Sequence, residues 1–252
     1  MVTRLPSGLQ PVGSAPFGRW WIRMICLVLT GRTIAEDLQQ YEQNKPWISM
    51  LELRIDLLDE VSRLDAASFP ALVDVPVILT CRRTADGGAF AQPERTRLAL
   101  IEHASHGAFA YVDLEEDVKR SVFERQLADR GIRIIRSYHD FDGIPADIYH
   151  RASRIAAKGE IPKLAVTPKT VLDLLTLFRF EQELATVPEK IIVGMGDMGV
   201  PTRILYKRLG SMITYCSKTA IAPGQIDART MKELYRADTI DHRTKIYGVI
   251  GN

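Results

Sequence analysis

The sequence predicts an α/β fold closed into a (β/α)8 barrel. Short apolar, β-branched runs recur about eight times, with longer amphipathic stretches between most of them. The 252 residues, 46% of them hydrophobic, suffice to bury the core of one large domain without a second. A closed barrel is the simplest architecture with that number of alternating units, although an open doubly wound sheet satisfies the same alternation.

Charged residues make up 25% of the chain and the formal net charge is +2, a balance that leaves no nucleic-acid or membrane footprint. Cys26, Cys81 and Cys216 are far apart and show no metal-binding spacing, so they read as reduced thiols of a cytosolic-type compartment. Residues 1–23 hold Arg4, Arg19 and Arg23, no acid and several prolines and glycines. They are expected to be a disordered or non-native extension, because Met24 directly precedes the first strand. The most apolar stretch, 20–30, is interrupted by Arg23 and is shorter than the roughly 18 residues that cross a bilayer.

Taken in order, the first strand is the apolar run 25–30, followed by a helix-like stretch at 34–43. The second, 50–56, reads MLELRID and alternates strictly. Glu52, Arg54 and Asp56 share one face, and Leu51, Leu53 and Ile55 share the other. In a barrel the leucine face packs under helices and three charges point inward, which is costly unless they are paired or used. An exposed edge strand would show the same alternation. The third strand, 75–82, runs into TCRRTADGG at 80–88. Arg82 there sits beside Asp86 and two glycines, as an anion clamp with a mobile cover would, although a lone arginine is more often a surface residue. A helix-like stretch at 93–106, a fourth strand at 109–115 and a further helix at 117–129 follow.

The fifth strand, 132–141, ends RSYHDF, with Ser137, His139 and Phe141 on one face. Of the five histidines only His139 closes an inner strand, which makes it the candidate proton shuttle. After a helix at 146–158 comes the sixth strand, 161–167, reading IPKLAVT. Lys163 stands mid-strand in apolar company, and such a lysine either snorkels at the rim or serves as a nucleophile. Arg54, Arg82 and Arg203 are expected nearby, and their charge would disfavour the ammonium form. A helix at 169–184 leads to strand 190–196. Here GMGDMG at 194–199 matches a dinucleotide fingerprint but falls in the seventh unit, with no ribose-binding acid after it. A contact with an anionic substrate, Arg203 behind it, suits the loop better. The eighth strand, 212–216, precedes Ala222-Pro223-Gly224-Gln225, where Gln225 could hydrogen-bond a hydroxyl or carboxylate at the barrel mouth.

These motifs, six in one order between residues 25 and 235, resemble the type I 3-dehydroquinate dehydratase family. The resemblance implies a TIM barrel that dehydrates 3-dehydroquinate to 3-dehydroshikimate, in the shikimate pathway, with no metal or other cofactor. It implies Lys163 as the Schiff-base nucleophile, His139 as general acid and base, and Asp86 as the acid that orients the histidine. Glu52, Arg54, Arg82, Arg203 and Gln225 match substrate-binding positions, and Tyr215 and Phe141 match aromatic or apolar positions of the pocket. Asp86 stands where glutamate is usual, and Ile221 where the family often has serine. A cytoplasmic enzyme, or a plastid one in a plant, is implied, acting as a monomer or homodimer. Domain bounds follow as an extension at 1–23, a barrel at 24–240, and from 241 a linker into a dehydrogenase. Residues 244–252 read TKIYGVIGN, a fresh strand resembling the first strand of a shikimate dehydrogenase domain. A class I aldolase-type Schiff-base barrel is the rival enzyme, and a catalytically silent ligand-binding or scaffolding domain the rival of another kind.

Overall fold

Eight parallel strands form the inner wall of the computed structural model, which describes residues 24–217 and 224–247. The strands are β1 (Met24–Val28), β2 (Met50–Arg54), β3 (Val77–Thr80), β4 (Tyr111–Glu115), β5 (Arg133–Asp140), β6 (Ile161–Val166), β7 (Ile191–Gly194) and β8 (Ile213–Cys216). From β1 to β7 each pairs with its neighbour in chain order, and β8 returns to pair with β1, Cys26 facing Tyr215. The turn of the wall is completed between β7 and β8, where Met212 donates to the Lys190 carbonyl at 2.8 Å.

Helices α1 (Ile34–Asn44), α2 (Glu60–Asp65), α3 (Glu94–Ala104), α4 (Ser121–Asp129), α5 (Ile148–Ala156), α6 (Val171–Phe178), α7 (Phe180–Glu183) and α8 (Gly196–Ile204) connect the strands. The alternation of each strand divides the core in two. Leu51, Leu53, Ile55 and Leu79 face outward and pack with Phe69, Leu98 and Ile101 under the helices. Cys26, Met50, Ile78, Ile135, Ile161, Ile191 and Ile213 face inward and make an apolar floor. One step further along the same inward faces the chemistry changes, to Glu52, Thr80, Asp113, Ser137, Lys163 and Tyr215, all buried. This switch from apolar floor to polar upper layer, at the carboxyl ends of the strands, is what positions a site in a barrel.

Several boundaries differ from expectation. Strand 75–82 shortens to β3, and strand 190–196 shortens to β7 because Gly196, at φ 72°, already opens α8. The helix expected at 169–184 is two, α6 and α7, broken at Arg179. The GMGDMG segment is a strand-to-helix corner. A Cβ on Gly199 would lie 2.3 Å from the Gly194 carbonyl carbon, so the glycines let α8 press onto β7. Residues 244–247 form no strand. The extension at 1–23, the rest of the expected tail strand at 248–252, and Ile221 lie outside the described residues.

Candidate active site

The polar upper layer opens into a cavity of about 200 Å³, and every side chain nominated above lines it. Glu52 and Arg54 come from β2 and Arg82 from the extension of β3. Asp86 sits in the 3-10 turn Thr84–Asp86, His139 on β5 and Lys163 on β6. Arg203 comes from the last turn of α8 and Tyr215 from β8, while Gln225 and the half-exposed Phe141 stand at the mouth.

Lys163 points inward and is only 6% exposed, so it does not snorkel to the rim. Its Nζ donates to Asp113 Oδ2 at 2.8 Å and lies 3.3 Å from Glu52 Oε1. The Tyr215 ring lies beneath it, its centroid 4.4 Å away. The expected surround of arginines is therefore corrected, because the charged groups that touch the amine are carboxylates. Arg54 and Arg82 are themselves engaged. Arg54 makes a bidentate pair with Asp56 at 2.8 and 2.6 Å. Arg82 binds Asp113 at 2.8 Å, Glu115 at 2.7 Å and the Ser137 hydroxyl at 2.9 Å.

Asp113 and Glu115 were not anticipated. They alternate along β4 as the charges of β2 do, and that pattern was the available signal. Burial alone would raise the Asp113 carboxyl, but Arg82 and Lys163 beside it hold its pKa well below the usual carboxylate range. Glu115 is braced from behind by the wholly buried Arg97, 2.8 Å away, which also donates to the Cys81 carbonyl. Burial draws Arg203 down to about 10, so it remains cationic at neutral pH while facing the cavity.

His139 lies one residue pair beyond Lys163 on the adjacent strand, since Ser137 faces Lys163 and His139 faces Ala165. Burial, then the charges of Arg82 and Lys163, hold the imidazole well below its ordinary pKa, which keeps it neutral and able to accept a proton. The expected contact with Asp86 is not made. Asp86 Oδ1 stands 3.9 Å from His139 Nδ1, beyond hydrogen-bond range, and that buried nitrogen has no hydrogen-bond partner among the described residues. The aspartate is one methylene shorter than glutamate and is bound to Arg83 instead.

A sequence profile of the family described as Type I 3-dehydroquinase matches residues 25–242. The chain belongs to that family. A 3-dehydroquinate dehydratase of Methanocaldococcus jannaschii is 34% identical over 224 residues, covering 84% of this chain and 98% of the relative. Another from Methanococcus vannielii is 31% identical over 223 residues, with 84% and 98% covered. The crystal structure of the 3-dehydroquinate dehydratase from Geobacillus kaustophilus superposes with a TM-score of 0.76 at 25% identity, covering 86% of this chain and 92% of that one. Type I 3-dehydroquinases work through a Schiff base on a TIM barrel, and the buried lysine at the carboxyl end of this barrel is placed for that chemistry. Membership also sets aside the aldolase and scaffold readings.

Proposed function

We propose that this cavity converts 3-dehydroquinate to 3-dehydroshikimate through an imine on Lys163. The observation that carries the reading is the buried Lys163 amine, held by Asp113 and Glu52 at the floor of a cavity whose wall holds a neutral imidazole. A proton beside a ketone is weakly acidic. Once the Lys163 nitrogen has replaced the ketone oxygen as a protonated imine, the electrons of the broken C–H bond have a sink.

The nucleophile must first give up a proton. Asp113 Oδ2, which accepts from the amine at 2.8 Å, holds the ammonium in place, and the neutral His139 is the base in the cavity wall that can take the proton. His139 then removes the proton from C2, and the resulting enamine expels the β-hydroxyl, which takes a proton and departs as water. Hydrolysis of the remaining imine frees the product and the amine. Arg203, buried and cationic, supports binding of the substrate carboxylate. Glu52, Arg54, Arg82 and Gln225 bound the space for its hydroxyls, and Tyr215 and Phe141 supply its apolar sides. Asp86 acts on His139 from 3.9 Å through its charge. The chemistry suits a soluble biosynthetic compartment such as the cytoplasm.

Borohydride reduction in the presence of 3-dehydroquinate tests the reading. Intact-mass analysis should show one covalent adduct, mapped to Lys163, and Lys163→Ala should lose both adduct and turnover. Dehydration by that variant at the wild-type rate would refute the mechanism. His139→Ala should still form the adduct slowly while turnover collapses.

A further inference from the structure

The turn that carries Asp86 is held by a residue that does not line the cavity. Arg83 reaches back across the turn and binds Asp86 Oδ2 through Nε, while its Nη2 holds Asp117 Oδ1 at 2.8 Å. Its backbone is pinned as well. Gly88 donates to the Arg83 carbonyl at 2.9 Å, and Thr84 donates to the Phe90 carbonyl at 3.2 Å. On the other side the turn lies against Phe141, whose Cζ would be 2.8 Å from a Cβ on Gly87. Asp86 thus has a fixed Arg83 partner on one oxygen and a 3.9 Å gap to His139 Nδ1 on the other.

We propose that Arg83 is a positioning residue that holds Asp86 off His139 and so sets the pH below which the enzyme loses its base. The inference rests on the reading of His139 as the proton shuttle. The charged groups facing that imidazole are Arg54 from β2, Arg82 from β3, Asp113 from β4, Lys163 from β6 and Asp86 from the turn. Only Asp86 is on a short, half-exposed turn with a rival cation, so it is the one whose distance a single contact can control. Released from Arg83, a carboxylate closing on Nδ1 would favour the imidazolium and demand a higher pH for the base to form.

The test compares the pH profile of kcat/KM for the wild type, Arg83→Gln, Asp86→Asn and the double variant. Removing a cation near His139 raises the acidic limb to some extent by charge alone, and the Asp86→Asn background measures that part. Arg83→Gln should move the limb upward by at least about half a pH unit more with Asp86 present than with Asn in its place. Equal shifts in the two backgrounds would overturn the inference while leaving the His139 reading intact. An acidic limb that fails to follow the imidazole pKa, read by NMR in the same variants, would instead refute the His139 reading. Arg83→Lys keeps the charge but loses the planar fork that joins Asp86 to Asp117. It should shift the limb in the same direction by no more than Arg83→Gln does, and a shift larger than that of Arg83→Gln, with the cation kept, would overturn the proposal.

Discussion

Asp113 binds three groups from three other strands or their extensions: the Arg82 guanidinium, the Ser137 hydroxyl at 2.6 Å and the Lys163 amine. Its side chain is fully buried, so replacing it leaves Lys163 without its closest counter-charge and Arg82 without one of its two. Asp113→Asn should cost about 3–5 kcal/mol in stability, the range for breaking a buried pair from one side, and turnover should fall with it. Urea denaturation reads the first effect, and a loss below about 1 kcal/mol would show that Glu52 and Glu115 suffice for Arg82 and Lys163. The pH sign follows from the depressed carboxyl. Its contribution is complete above about pH 4, the value in the unfolded chain, and is lost as the pH falls through the lower folded value.

At the level of elements, Asp37 joins α1 to the loop that leaves β1. Its Oδ1 accepts from Gly31 N at 2.7 Å, while Oδ2 is buried without a hydrogen-bond partner among the described residues. Burial raises this carboxyl to about 7, the Gly31 hydrogen bond opposing and Glu36 adding to it. The folded value therefore lies above the unfolded one. The stabilisation is fully present below about pH 4 and is lost as the pH rises through about 7. Asp37→Asn should flatten the fall in melting temperature across that window, and parallel curves for wild type and variant would remove Asp37 as its cause.

The strands were the most legible elements, because alternation such as MLELRID states both the period and the direction of burial. Their ends stop earlier than the alternation suggests because the chain turns away. Arg82 leads into a loop whose Phe90 amide donates to its carbonyl, and Met195, whose amide still bonds the Val166 carbonyl, is followed at once by the corner at Gly196. Helix α2 is six residues long, too short to show a period, and α8 starts at glycine and contains Pro201, both poor helix formers. In the site, the residue types and their strands could be read, but their partners could not. Asp113 meets Lys163 across 50 residues of chain, and no local pattern reports such a contact. The Asp86 gap escaped for a related reason, since it depends on which side of the turn Arg83 folds toward.

For the molecule as a whole, closure of the barrel is uneven. β5 and β6 share six register pairs, whereas β7 and β8 are joined through the Met212–Lys190 bond and the Ser211 hydroxyl. Ser211 Oγ accepts from Ile192 N at 3.0 Å and donates to the Ile213 carbonyl at 2.9 Å. Ser211→Ala should leave the Ile192 amide without an acceptor, costing about 1–3 kcal/mol and speeding hydrogen exchange at that amide. Unchanged exchange there would mean that the seam is held by side-chain packing instead.

The pairing of Lys163 with Asp113 and Glu52 has one more consequence. A protonated imine carries the same single positive charge as the ammonium it replaces, at almost the same point in space. The carboxylates therefore meet an unchanged electrical demand when substrate is captured and when product leaves. The field of the barrel interior is thus the same at the ammonium and the protonated-imine stages, and only the neutral amine and the enamine between them depart from it.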